Sequence, residues 1–526
     1  MRFASACLCG AAFYAVAANA KVCPTRFDHV TWDDSNWRLT TTYADRGHYQ
    51  GRMSLANGYI GINLASIGPF FERDIEDASN SSQSGWPLFT GRQTFATVGG
   101  FWNSQPRSSW MGTNFEWLDQ YGGESYISGI PHWSGLVVVM NEHVLDANVS
   151  AEEIAEFSST LDVGAGTMNW KFTWTPASEA ALTVEYSMFV HKLHINQAAV
   201  QLRLQASRDI NVTVFDVLQG DCAVRTSPAG EGYIQDSPTI WTVVRPSGIE
   251  SVTAYIYSTL VADSIFGRQQ VVDPAIIGRN ESGVAQSFQL MLQINEPRTV
   301  SKYVEIASTN AFDDPQTVAR QAAEAGSKAG YSAMLRTHIA EWESIMTRDT
   351  VDDFYFLEDG MLPDDPIIIE AQILAVTNPF HTLQNTVGAN AILASATNTR
   401  LDDHSIAVCG LGSDCYAGWI FWDSEVWMAP GLVVTHPQAA QQVANYRVKL
   451  LPQARENMQT AFWSSQNETG KFTGGAAYPW VSGRFGNCTG AGPCFDYEHH
   501  LNGDIALEVY NYYVATGDSD SFRQNL

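Results

Sequence analysis

Up to about residue 310 the apolar positions recur with a period of two. LTVEYSMFV (182–190), AVQLRLQA (199–206), NVTVFDVL (211–218), VTAYIYSTLV (252–261) and SFQLMLQI (287–294) alternate or are rich in β-branched and aromatic residues. That is the pattern of strands with a face on a core. Turns of Gly, Pro, Asn and Asp cut the region into short strands, which predicts a large antiparallel sandwich. His191 and His194 form an H-x-x-H inside this register. A period of two puts them on opposite faces of a strand, so they read as structural.

Near residue 312 the period changes to that of a helix. DDPQTVARQAAEAGSKAGYSAMLRTHIAEWESIM (313–346) carries Ala, Leu, Glu and Gln at helical spacing and reads as a helical linker. From about residue 366 the chain stays helical. PIIIEAQILAVTNPFHTL (366–383) is one helix or two. The stretch 436–462 is a long helix with Pro437 in its first turn and a kink or end at Pro452. LNGDIALEVYNYYVATG (501–517) sets Ile505, Val509 and Tyr512 or Tyr513 on one face, with Gly517 as C-cap. Loops rich in Trp, Tyr, Gly and Cys separate these helices, as in a helical scaffold that presents a site on its loops. The division expected is 1–20 signal peptide, 21–310 β domain, 311–365 helical linker and 366–526 helical domain.

The 526 residues are 45% hydrophobic, enough for two or three domains with cores of their own. A net charge of −26 argues against nucleic acid and anionic membranes as partners. The opening MRFASACLCGAAFYAVAANA has a basic start, a short apolar stretch and an A-x-A site before Lys21, which reads as a secretory signal. No later stretch is long and apolar enough to span a bilayer, so the mature chain is expected to be soluble. Six N-x-S/T sequons, at Asn80, Asn148, Asn211, Asn280, Asn467 and Asn487, suit a secreted glycoprotein. Six cysteines remain after the signal: Cys23, Cys222, Cys409, Cys415, Cys488 and Cys494. Their even number in an oxidising compartment favours disulfides, and their spacing lacks the C-x-x-C of a metal site. Spacing suggests Cys409–Cys415 and Cys488–Cys494, leaving Cys23 with Cys222, among the fifteen pairings six cysteines allow.

Aromatic residues are 12% of the chain, with 16 tryptophans. Two loops combine them with acids. YAGWIFWDSEVWMAPG (416–431) sets Trp419, Trp422 and Trp427 around Asp423 and Glu425. The stretch 474–504 carries Tyr478, Trp480, Arg484, Asp496, Glu498, His499 and His500. Sugar rings stack on indole faces, and a carboxylate accepts strong hydrogen bonds from sugar hydroxyls. Cleaving a glycosidic bond needs one carboxylic acid for the leaving oxygen and a second carboxylate for water or carbon. Asp423, Glu425, Asp496 and Glu498 are the candidates. There is no G-x-S-x-G elbow, no phosphate-binding loop and no H-E-x-x-H, and no cofactor is expected.

These motifs resemble glycoside hydrolase family 65, and within it the secreted or vacuolar acid trehalases of fungi. YAGWIFWDSE is similar to the family's Y-x-G-H-x-F-W-D-x-E, and NYRVKLLPQAREN to the Y-R-x-x-x-L-x-x-A-R that follows it. GGAAYPW resembles G-A-x-Y-P-W, and EHHLNGDIALEVYNYYVATGD resembles E-I-H-x-N-G-A-I-A followed by Y-x-x-x-T-G-D. The resemblance implies an N-terminal super-β-sandwich, a helical linker and an (α/α)6 barrel. It implies inverting cleavage of an α-glucoside, by water in trehalases or by phosphate in the disaccharide phosphorylases. Trehalose is then the expected small-molecule partner. By motif match Trp422 and Asp423 bind the glucosyl unit, and Glu425, Tyr478, Trp480, Glu498 and His500 lie in or near the pocket. Trp419 stands where many members have His.

The family's general acid lies in a D-E-Y motif beyond the T-G-D turn, and this chain has no D-E-Y. The resemblance therefore implies a general acid beyond Leu526, the last residue of the sequence. Glu498 in YEHH imitates the motif but belongs to the earlier one. The 161 positions from 366 to 526 hold four or five helices, where twelve helices of about 11–12 residues with their loops need well over ~200. The expectation is half of a barrel and an N-terminal part that is inactive by itself. The alternatives are a phosphorylase of the same family, against which the signal and sequons argue, and a secreted carbohydrate-binding protein without catalysis.

Overall fold

A computed structural model describes residues 22–47, 53–73, 93–106, 123–262, 265–356, 358, 360–395, 401–460, 474–486 and 499–525. The signal segment and Leu526 therefore lie outside the described residues. Two antiparallel sheets dominate the first part. In the larger, eleven strands run in the spatial order Val22–Pro24, Val30–Asp33, Arg38–Thr41, Ile154–Asp162, Thr167–Trp174, Leu182–Val190, Gln197–Ala206, Arg298–Ser308, Ala254–Ala262, Thr239–Pro246 and Thr226–Ile234. The smaller has five, ordered His143–Leu145, Leu136–Met140, Ile210–Leu218, Val284–Leu292 and Ile265–Val271. The period of two appears directly as burial: along Leu182–Val190 buried and half-buried positions alternate for seven residues.

The two sheets share one hydrophobic core. A cation crosses it. Lys302, on the large sheet, reaches Asp216 on the small one at 2.8 Å, and its Nζ also donates to the carbonyls of Gly135 and Val217. Asp216 is completed by Ser258 and Gln286. A buried ion pair tolerates desolvation only when its remaining hydrogen-bonding capacity is filled in this way.

Nine helices lie among the described residues: α1 (Pro274–Ile277), α2 (Pro315–Ala329), α3 (Tyr331–Ile345), α4 (Pro366–Leu383), α5 (Ala389–Ala394), α6 (Ala429–Thr435), α7 (Pro437–Thr460), α8 (Leu501–Thr516) and α9 (Ser519–Asn525). Their starts are written locally. Asp314 and Asp365 cap α2 and α4 through backbone amides, each just before a proline in the first turn. α4 is one helix despite Pro379, and α7 continues through Pro452 to Thr460. Gly517 ends α8 with a left-handed φ of 70°. None of these helices is long and apolar enough to cross a membrane.

Three expectations are corrected. Residues 366–526 hold six helices among the described residues, α4 to α9, not four or five. His191 and His194 are not on a strand. They follow Leu182–Val190 in a turn, with ring centroids 4.8 Å apart, and His191 Nδ1 accepts from the amides of Leu193 and His194. The turn seats Lys192, whose Nζ donates to Leu383 O and Thr386 O at the end of α4. Its amide donates to His338 Nδ1 of α3. Cys23 and Cys222 are not joined to each other. Cys23 is on the edge strand of the large sheet, whereas Cys222 sits in a 3-10 turn after a strand of the small one, its thiol toward Thr94 O. Cys409 and Cys415 form a disulfide, and Cys488 and Cys494 lie outside the described residues.

Of the sequons, Asn148 and Asn211 are exposed. Asn280 is half-buried, and its side-chain carbonyl accepts from the amide and hydroxyl of Ser282. Asn80, Asn467 and Asn487 lie outside the described residues.

Candidate functional site

The aromatic loop is clamped from three directions before it reaches Trp422. Tyr416, Ala417 and Gly418 take three successive left-handed conformations, with φ of 48°, 55° and 69°. Two of these are not glycine, a costly arrangement that persists only where the surroundings enforce it. The disulfide to Cys409 ties the segment at Cys415. Asp414 meets Arg225 at 2.8 Å. Ile127 donates its amide to Ala417 O, and its side chain fills the space a Cβ on Gly418 would need, 2.5 Å away. Ile420 exchanges both backbone hydrogen bonds with Ser482 of the second loop.

Trp419 is fully buried and is a wedge rather than an exposed contact. Its Nε1 donates to Ser125 O at 2.7 Å, and Tyr126 and Phe421 flank it. Around it Phe95, Trp102, Ile127, Ala417 and Val481 form a separate apolar cluster that Trp422 and Trp480 edge. The β-rich part of the chain thus supplies the wall against which the loop is set.

Beyond this wedge the chain turns through one π-helical turn, Ser424–Met428. Single π-turns recur at functional sites because they aim a side chain that an α-turn would not. Trp422 and Asp423 enter the turn half-buried. Trp422 packs on Trp427 at 6.1 Å and meets His500 edge-on at 4.9 Å. His500 in turn pairs with Asp504 one turn into α8. No described group hydrogen-bonds the Asp423 carboxylate, so it is available to a ligand.

Glu425, two residues on, is placed beneath the loop. Arg447 of α7 holds it bidentately, Nε to Oε1 at 2.7 Å and Nη2 to Oε2 at 3.1 Å, with both side chains excluded from solvent. The same Nη2 donates to Phe421 O at 3.2 Å. One guanidinium therefore ties the acid of the turn to the backbone before Trp422. Tyr478 adds a strut, its hydroxyl donating to Arg447 O at 2.9 Å, and burial pushes that phenol up to about 12. Tyr446 bonds Ser482 and Gly483, fixing the second loop to α7. Trp480 stands edge-on to Phe421 at 6.3 Å, and its Nε1 is buried with no hydrogen-bond partner among the described residues.

The structure thus brings Trp422, Asp423, Glu425, Tyr478, Trp480 and His500 into one connected cluster. Asp496 and Glu498 lie outside the described residues. So does Leu526. Two members of the cluster escaped the sequence reading as functional residues. Arg447 was visible only as part of a motif. Glu508 of α8 lies between Ile505 and Tyr512 on the face that turns inward, so its helical spacing could have exposed it. It is 2% exposed, and both of its oxygens lack partners among the described residues. Burial and then the neighbouring Glu425 push its carboxyl up to about 8, against the opposing pull of Arg447.

The family model for the glycosyl hydrolase family 65 N-terminal domain matches residues 39–345, and that for the family's central catalytic domain matches residues 390–525. The chain is 46% identical over 503 residues to an acid trehalase of Emericella nidulans. It is 47% identical over 507 residues to a cell wall acid trehalase of Arthroderma benhamiae. Each match covers 95% of this chain and 47% of the relative, so the chain spans about half the length of these relatives. A solved kojibiose-phosphorylase-like chain from the human microbiome superposes with a TM-score of 0.68 at 14% identity, over 94% of this chain and 57% of its own, and shares the fold.

Proposed function

We propose, from the premise that this chain belongs to glycoside hydrolase family 65, that it is part of a secreted or cell-wall α,α-trehalase. The enzyme hydrolyses trehalose to two glucoses with inversion. The observation that carries this reading is the Trp422–Asp423 pair: a half-buried indole beside a carboxylate that no described group bonds, on a turn that Arg447, Trp419 and a disulfide hold rigid. An indole face and a charged acceptor suit a pyranose ring with its ring of hydroxyls. The 46% and 47% identities to acid trehalases support trehalose as the substrate. In this reading Trp422 is the platform and Asp423 the hydroxyl acceptor. Trp480 and His500 border the sugar, while Glu425 and Tyr478 act beneath it through Arg447. Glu498 is the acid the sequence motif offers, and a general acid is not assigned among the described residues.

The same reading extends to the architecture. Residues 21–310 would form the super-β-sandwich, 311–365 the helical linker, and 366–526 helices of an (α/α)6 barrel, with the sugar site where the loops between barrel helices face the β domain.

The test is the full-length protein with trehalose in phosphate-free buffer, followed by NMR of the anomeric protons. Inverting hydrolysis releases one α- and one β-glucose from each trehalose. Turnover that requires phosphate and yields a sugar phosphate would favour the phosphorylase reading instead. Glucose binding without turnover would favour a carbohydrate-binding protein.

A further inference from the structure

α8 touches the site twice. Its first residues, with His500 at their head, close on Trp422, and two turns on Glu508 is buried where α8 packs against the π-turn and α7. Three polar groups meet there. Glu425 is fully engaged by Arg447, whereas Arg447 Nη1 and both oxygens of Glu508 have no partner among the described residues. Two buried carboxyl groups therefore lie near one guanidinium, which Glu425 alone engages. A buried cation can balance one carboxylate, and a second charge would be left uncompensated in a medium of low dielectric. The arrangement is stable only while one of the two acids is neutral. Glu425, its carboxylate aligned with the guanidinium fork, is the ionised member.

We propose that Glu508 is a positioning residue for the Trp422–Asp423 turn, acting through Arg447: as a neutral acid it leaves the guanidinium to Glu425 and Phe421 O, and as a carboxylate it competes for it. On ionisation, its proton passes to solvent, Glu425 and Glu508 repel, and Nη1 gains an anion on the α8 side. The guanidinium is then drawn away from the Phe421 carbonyl, and the backbone that aims Trp422 and Asp423 loses its anchor. The charged groups acting on Glu508 are Glu425 of the π-turn and Arg447 of α7. Tyr512 follows one turn on along α8 and responds to Glu508, and α6 carries no ionisable side chain. The burial-driven shift of Glu508 to about 8 places the change on the alkaline side of neutrality.

The proposal rests on the reading of Trp422–Asp423 as a sugar grip. The experiment uses the full-length protein and its Glu508→Gln and Glu508→Met variants, neither of which can ionise. D-glucose is titrated against tryptophan fluorescence at about pH 6 and about pH 9, and thermal midpoints are recorded across the same interval. In the wild type glucose affinity falls by about tenfold, an ordinary coupling between two sites. In either foldable variant it stays within about twofold, and the midpoint difference between variant and wild type changes steadily with pH. Parallel pH profiles of glucose affinity for wild type and variants would overturn the proposal, because a buried acid with no hold on the turn makes the midpoint depend on pH but leaves the affinity unmoved. An absence of glucose binding by the wild type at all pH values overturns the sugar-grip reading and the proposal that rests on it, an outcome distinct from parallel affinity profiles.

Discussion

Arg447 and Glu425 face each other across α7 and the π-turn, with neither side chain reaching water. The pair lies directly under the two residues proposed to hold sugar. Removing one partner leaves the other as an isolated buried charge, which costs roughly 3–5 kcal/mol. Glu425→Gln and Arg447→Met are therefore expected to lower the thermal midpoint markedly and to abolish sugar binding at the temperature of assay. Calorimetry with parallel glucose titration checks this. The double replacement Glu425→Leu with Arg447→Met recovers much of the stability but none of the binding, since the Phe421 carbonyl stays untied.

The left-handed run before Trp419 makes a sharper local prediction. Gly418→Ala adds a Cβ 2.5 Å from Ile127 Cγ2 and imposes about 1–2 kcal/mol of backbone cost at φ of 69°. Ala417→Gly, at φ of 55°, relieves a comparable strain. The first variant is expected to lose near-ultraviolet dichroism from the displaced Trp419 and to weaken glucose binding. The second keeps both. A wild-type spectrum for Gly418→Ala would mean the clamp at Ile127 does not set the loop.

Two buried groups give pH dependence of opposite sign. Burial holds His338 down to about 3, so the folded protein keeps it neutral while an unfolded chain takes up a proton near 6.5. Stability from this group is complete above about pH 6.5 and is lost as pH falls toward 3, at about 1.36 kcal/mol per unit. Glu508 works the other way. It remains protonated to about 8, so stability falls as pH rises from 4.5 to about 8, in total on the order of 5 kcal/mol. His338→Gln should flatten the acid limb of a midpoint-versus-pH curve and leave the alkaline limb unchanged. Loss of both limbs together would mean that the two groups are not independent.

Much of the architecture was legible because burial follows the period of the sequence. Leu182–Val190 was read to both of its ends from alternation alone, and Pro437 and Gly517 mark helix ends for reasons of backbone geometry. The aromatic loop was legible as a candidate site because acids among indoles need a ligand or a partner. Which acid has which role was not. Asp423 and Glu425 are two residues apart and look alike in sequence, yet one is open and the other is held by an arginine 22 residues away. The same non-local logic hid the separation of Cys23 from Cys222, which is decided by which sheet each joins. Trp419 stands where many family members have His, and its part as a wedge was not legible, because Ser125 and Tyr126 come to it from the β-rich part. The His191–His194 turn was missed because Lys192 must reach the end of α4, a contact between residues 191 and 194 positions apart.

The central claim is that Asp423 holds glucose and does not hold the fold. It is half-buried and bonded by no described group, so Asp423→Asn should leave the thermal midpoint of the full-length protein unchanged. Removing a charged acceptor costs about 1.5–3 kcal/mol of binding, which is roughly a 10- to 100-fold loss. Isothermal titration of D-glucose into wild type and Asp423→Asn, with midpoints measured on the same samples, is the direct measurement. The account predicts a loss of affinity in that range at constant midpoint. Unchanged affinity, or a fall in midpoint that accounts for the loss, would contradict it.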